Sequence, residues 1–226
     1  MKRMSPNIFG IYLAAGNSSR MGENKLSLPL RGTTLGSLGL FSALKSDLKS
    51  TVIVTKENDS LEWLDPIFFT KKYEERWTQI PCLRASEGQA YSLKCGLNAV
   101  HSLQAEAALI MLADQPFISA MMINHLLSKF TSHEESNIMD YVAACYEGVL
   151  KPPILFSHRM FPSLYTLEGD IGARNLIRKN DSLNGAIIEC KDEWAFYDVD
   201  TKQAYKRVME GDIERWIKRK ALSYRL

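Results

Sequence analysis

The chain has 226 residues, of which 46% are hydrophobic and 24% charged, and its formal net charge is +2. A chain of this size can bury a large core without disulfide or metal staples, and its near-neutral charge argues against nucleic acid or an anionic membrane as a general partner. No stretch approaches the ~20 apolar residues of a membrane span, and the basic start Met1-Lys2-Arg3 leads into a mixed strand and a polar loop, not a secretory core. Cys82, Cys95, Cys145 and Cys190 lie far apart with no Cys-x-x-Cys, and His101, His125, His133 and His158 lack metal-ligand spacing. This usage suits a reduced, cytoplasmic setting. A single domain over 1–226 is expected.

Residues 8–13 form an apolar run of β-formers and read as a buried strand. The side chains then shrink to Ala14-Ala15-Gly16-Asn17-Ser18-Ser19, followed by Arg20 and Lys25. Small residues after a strand leave backbone N–H groups open to an anion, a guanidinium can fork two phosphate oxygens, and an ammonium adds a point charge. This loop is therefore a candidate phosphate cradle. Its spacing fits neither a Walker loop nor Gly-x-Gly-x-x-Gly, so an ordinary βα turn is the alternative.

Arg31-Gly32-Thr33 reads as a turn, with Thr34 capping a helix over 35–44. A strand is expected at 51–55, a helix at 60–69 and a strand at 77–83. A small-residue turn at 85–88 then opens a helix running to about 103. Residues 107–112 are the most apolar strand and are expected to be central, ending in Ala113-Asp114-Gln115-Pro116. A carboxylate at the carboxyl end of such a strand sits where open α/β sheets bind ligands, though a turn or capping Asp has the same pattern. A helix follows at 119–130, a polar loop at 131–137 and a strand at 141–145, then Lys151-Pro152-Pro153 before the apolar triplet 154–156. In the stretch 168–177, Asp170 can cap the following helix and Arg174 can meet a phosphate, or the two can pair and fix the turn. Strands are expected at 186–190 and 194–199. Thr201 caps a helix from 202 to about 210, and a further helix spans 213–222. This alternation argues for a three-layer α/β domain with a mostly parallel sheet.

Leu13-Ala14-Ala15-Gly16-x-Ser18-x-Arg20-Met21-Gly22-x-x-Lys25 resembles the signature loop of the MobA-like nucleotidyltransferases. Within them the chain is most similar to the molybdenum cofactor cytidylyltransferases, which include accessory proteins of purine catabolism and xanthine dehydrogenase. Gly169-Asp170-x-Gly172-Ala173-Arg174 is the second family mark, Asp114-Gln115-Pro116 is similar to a metal-binding Asp-x-Pro, and Asp198-x-Asp200-Thr201 to Asp-x-Asp-Thr. The resemblance implies a Rossmann-like nucleotidyltransferase fold with Mg²⁺ held by Asp114 and Asp200, Asp198 being the weaker candidate. It implies nucleotide contacts from Leu13, Ala14, Ala15, Gly16, Ser18, Arg20, Lys25, Gly88, Ser92 and Asp114, although Ser92 also reads as a solvated helix serine. Arg20, Lys25 and Asp114 take the catalytic roles, and Gly169, Asp170 and Arg174 contact the acceptor.

The implied reaction moves CMP from CTP to molybdenum-loaded molybdopterin, serving xanthine dehydrogenase-type enzymes with transient contact to one of them. Use of GTP, or a non-catalytic cofactor carrier, are the alternatives. After Gly148, the family's early proline is replaced here by Val149-Leu150-Lys151, a departure at the acceptor side.

Overall fold

The structure is a computed structural model that describes residues 7–17, 21–132 and 139–210. In chain order it contains β1 (Ile8–Leu13), a β2–β3 hairpin (Pro29–Leu30, Thr33–Thr34), α1 (Leu35–Lys45), β4 (Ser50–Lys56), β5 (Trp77–Cys82) and α2 (Gln89–Ser102). There follow β6 (Ala107–Leu112), α3 (Ala120–Thr131), β7 (Tyr141–Tyr146), β8 (Val149–Ser157), α4 (Phe161–Tyr165), α5 (Arg174–Arg178), β9 (Gly185–Glu189) and α6 (Lys202–Met209). The predicted helix at 213–222 and part of the predicted loop at 131–137 lie outside the described residues.

Seven strands form one sheet in the order β5-β4-β1-β6-β8-β7-β9. All pairings are parallel except the two made by β8, which runs antiparallel to both β6 and β7. A strand covered on both faces is apolar throughout, and every residue of β1 is buried. Its side chains alternate between two cores: Ile8 and Tyr12 face α1, α3 and α6, while Phe9, Ile11 and Leu13 face α2, α4 and α5. These two cores and the sheet between them are the three layers.

Sequence order reverses at β1: the chain first builds outward through β4 and β5, then returns to lay β6 on the opposite side. The carboxyl ends of β1 and β6 therefore flank the switch point where open α/β sheets bind ligands. Leu13 pairs level with Leu112, and the Ala113 N–H donates to the Leu13 carbonyl at 3.1 Å. The signature loop and Asp114 thus emerge side by side.

Four local expectations are corrected. Residues 60–69 are turns ending in a short 3-10 helix, Pro66–Phe69, because Pro66 opens that turn and Asp65 caps it by accepting from Ile67 N–H at 3.0 Å. Residues 194–199 are not a strand: Trp194–Phe196 is a 3-10 turn that buries three consecutive side chains, which a strand covered on only one face cannot do. The Thr34 hydroxyl caps no helical N–H, since it donates to the carbonyl of Trp63 instead. The fourth correction concerns Asp170, which caps a different helix.

α2 packs on the sheet without space to spare at Gly96, where a Cβ would stand 2.5 Å from Ile11 Cγ2. Gly96→Val should destabilise the protein by about 2–3 kcal/mol in urea unfolding, because backbone and sheet leave no room for the added atoms.

Candidate active site

The signature loop leaves β1 with Ala14 and Ala15 buried, and the Ala14 N–H donates to the Val54 carbonyl at 2.8 Å. Gly16 and Asn17 are exposed, and nothing lies within 4 Å of a Cβ built at Gly16. Ser18 and Arg20 lie outside the described residues. Gly22 takes a φ of +76°, a left-handed turn that suits glycine, and leads to a 3-10 turn, Lys25–Ser27. Asn24 caps that turn by accepting from Leu26 N–H at 3.1 Å, while Leu26 anchors in the core.

So held, the buried Lys25 side chain aims its ammonium between two carboxylates. It donates to Asp114 Oδ2 at 2.7 Å and to Asp200 Oδ1 at 2.6 Å. Burial opposes its charge and is the largest single influence, but the two carboxylates together outweigh it and raise the lysine pKa. Asp200 is brought to Asp114 by the backbone, through Val199 N–H donating to the Asp114 carbonyl at 3.0 Å. Thr201 then caps α6 as expected, accepting from Ala204 N–H at 3.1 Å.

Asp114 Oδ1 is buried and has no hydrogen-bond partner. An unpartnered carboxylate oxygen beside a second carboxylate is a fitting donor set for a hard cation. Among the described residues, no group of three or more His, Cys, Asp and Glu is placed to hold a metal ion by itself. The protein would thus supply few ligands, leaving positions for phosphate oxygens and water, as Mg²⁺ prefers.

A cleft of about 240 Å³ opens beside this pair. Leu13, Asp114 and Asp200 line it together with Asp170, Gly172 and Arg174. The two family marks, distant in sequence, therefore share one space. Residues 169–174 are docked on the start of α2. The Ala90 N–H donates to the Gly169 carbonyl at 3.0 Å, and the Gln89 N–H to Asp170 Oδ1 at 3.3 Å. Asp170 thus caps α2, whereas α5 has no side-chain cap. Asp170 and Arg174 form no ion pair with each other among the described residues.

Gly88 serves this docking. Its φ is +130°, and a Cβ there would lie 2.3 Å from the Gly169 carbonyl carbon. Ser92 is 5% exposed, so it is a packed helix residue and not a solvated one.

Sequence reasoning missed Lys151 and Gln115 as cleft residues. Lys151 was visible as the departure after Gly148, and Gln115 as the middle of Asp-Gln-Pro. Gln115 is buried, donates through Nε2 to Asp198 Oδ1 at 2.8 Å and leaves its own Oε1 unpartnered. Asp198 is largely buried, and burial, followed by the nearby charge of Asp114, raises its carboxyl pKa. More open depressions of about 550 and 620 Å³ adjoin the signature loop on its other side, where Asn17, Asn24, Lys56 and Asp59 meet.

A mostly parallel sheet with a small-residue loop and a carboxylate pair at its switch point is the construction of a nucleotidyltransferase. The MobA-like NTP transferase domain matches residues 10–183, and the chain belongs to that family. It is 38% identical over 205 residues to the purine catabolism protein PucB of Bacillus subtilis (strain 168), covering 90% of this chain and 97% of that one. Rv0371c from Mycobacterium tuberculosis H37Rv superposes with a TM-score of 0.70 at 23% identity, over 90% of this chain and 98% of that one. That protein is also known in complex with manganese. CMP:2-keto-3-deoxy-manno-octonic acid synthetase, solved with CTP, shares the fold at a TM-score of 0.66 and 12% identity, over 92% and 99% of the two chains.

Two outcomes test this construction. Gly88→Ala should cost about 2–3 kcal/mol in chemical denaturation, from left-handed strain and collision with Gly169. Asp198→Asn should raise Tm near neutral pH by roughly 2–4 °C. The sign follows from the raised carboxyl pKa: the folded state favours the neutral form, so the wild type loses stability as pH rises through that pKa. The advantage of the amide should vanish in acid, where both side chains are neutral.

Proposed function

We propose that this chain transfers CMP from CTP to the terminal phosphate of molybdenum-loaded molybdopterin, releasing pyrophosphate in the cytoplasm. The observation that carries the reading is the single cleft joining Asp114 and Asp200 to Asp170, Gly172 and Arg174. The PucB likeness favours a role in purine catabolism, with delivery of the product to a xanthine dehydrogenase-type enzyme.

In this reading Asp114 and Asp200 hold one Mg²⁺, which when bound neutralises charge on the phosphates. The exposed backbone at Gly16 and Asn17 faces the triphosphate, together with Arg20 and the Lys25 ammonium. Gly88 and Ser92 shape the nucleotide side of α2. Arg174 and the backbone at Gly169 and Gly172 hold the acceptor against Leu13 and Asp114, with Asp170 keeping that segment on α2.

The acceptor phosphate oxygen attacks the α-phosphorus in line, a new P–O–P link forms, and the bond to the β-phosphate oxygen breaks. The nucleophile is already ionised at neutral pH, so no protein base is needed. Catalysis is then positioning and charge stabilisation, the terms that dominate phosphoryl chemistry.

Pyrophosphate release with Mg²⁺ and the molybdenum-loaded pterin, comparing CTP, GTP and ATP, tests this directly. Release with CTP alone is expected. A preference for GTP would move the chain to guanylyl transfer, and cofactor binding without release would make it a carrier. Asp114→Asn should lower kcat by about two to three orders of magnitude while pterin binding survives. Unchanged turnover in that variant would remove Asp114 from the metal role.

A further inference from the structure

The carboxylates assigned to a divalent ion already share a cation of the chain's own. Lys25 lies 2.7 Å from Asp114 Oδ2 and 2.6 Å from Asp200 Oδ1, so one ammonium takes an oxygen of each. The remaining Asp114 oxygen is sealed from solvent and has no partner. With the lysine in place, one oxygen of each carboxylate is already taken by a cation.

We propose that Lys25 acts as a placeholder: it closes the Asp114–Asp200 pair until a nucleoside triphosphate draws its ammonium away, so that the divalent ion enters with the nucleotide and not before it. This rests on the reading of Asp114 and Asp200 as metal ligands. A bare cation would have to compete with a buried ammonium for both carboxylates, and a buried ion pair is costly to break. A triphosphate removes that obstacle by offering the same ammonium new anionic oxygens.

The anchoring of Lys25 suits such an exchange. Its backbone is pinned by the Asn24 cap and by Leu26 in the core, while the ammonium sits at the end of a flexible four-carbon stem. Reciprocity follows: whatever factor the nucleotide adds to metal affinity, the metal adds to nucleotide affinity.

Mn²⁺ binding to the full chain without nucleotide, followed by loss of the free-ion EPR signal, tests the placeholder. Wild type should bind Mn²⁺ only weakly. Lys25→Met, which keeps the length of the stem without its charge, should bind it at least tenfold more tightly. Adding Asp114→Asn should abolish that gain. Lys25→Gln is a second variant in case the first misfolds, and in either variant Mn²⁺ should raise Tm more than in wild type.

Wild-type affinity equal to that of the lysine variants, or a gain that survives Asp114→Asn, would overturn the proposal. Micromolar binding by wild type alone would overturn it without any variant. The metal assignment is tested separately by the Mn²⁺ affinity of the CTP-saturated protein, which in wild type should exceed that of free CTP and in Asp114→Asn should not. Tighter Mn²⁺ binding by the CTP-saturated wild type together with no gain in the lysine variants sinks the placeholder alone; no tighter binding than to free CTP sinks both.

Discussion

The level ending of β1 and β6 is the constraint on which the rest depends. Leu13 stands opposite Leu112, so the residues that follow each strand leave the sheet at the same height. A shift of one residue in that register would turn every side chain of β1 to the wrong core and carry Asp114 away from the loop it serves. The parallel ladder and the burial of both strands on two faces together hold the register. Lys25 can meet Asp114 only because the two loops begin together.

A second layer of organisation is laid on this frame by the late part of the chain. Residues 198–200 are tied to Asp114 through the Val199 N–H, and residues 169–174 lie on the start of α2 through Gly169 and Asp170. Both attachments are made by backbone groups at the ends of elements, which would otherwise lack partners. The helix terminus thus holds the segment that carries Arg174, a service that needs glycine at position 88.

The parts of this architecture that sequence made legible are those with one dominant local signal. β1 and β6 are apolar runs, β4 is rich in β-branched residues, α2 follows a small-residue turn, and Thr201 caps its helix as its type suggests. β8 was visible only as the triplet 154–156, because Pro152 and Pro153 read as a break. The register explains how a nine-residue strand tolerates them: pairing with β7 jumps from Ala143–Ile154 to Ala144–Lys151, leaving both prolines in a bulge where no ladder N–H is required. The candidate site was reached through motifs, one at a time. The lysine's two bonds span 89 and 175 positions, and no spacing rule joins residues so far apart. Gln115 and Lys151 escaped notice for the same reason, as their meaning comes from neighbours across the cleft.

The reversal of β8 has a consequence for how such a protein can change. β1 and β6 bring to the cleft residues from their carboxyl ends, but β8 delivers Lys151 near its beginning, just past the tight turn at Glu147 and Gly148. That turn stands at the rim, outside both cores, and joins two strands remote from the signature loop. Lengthening or shortening it would remodel one wall of the cleft while the parallel strands kept their spacing. That wall can therefore vary through a hairpin, leaving the signature loop and the strands beside it as they are.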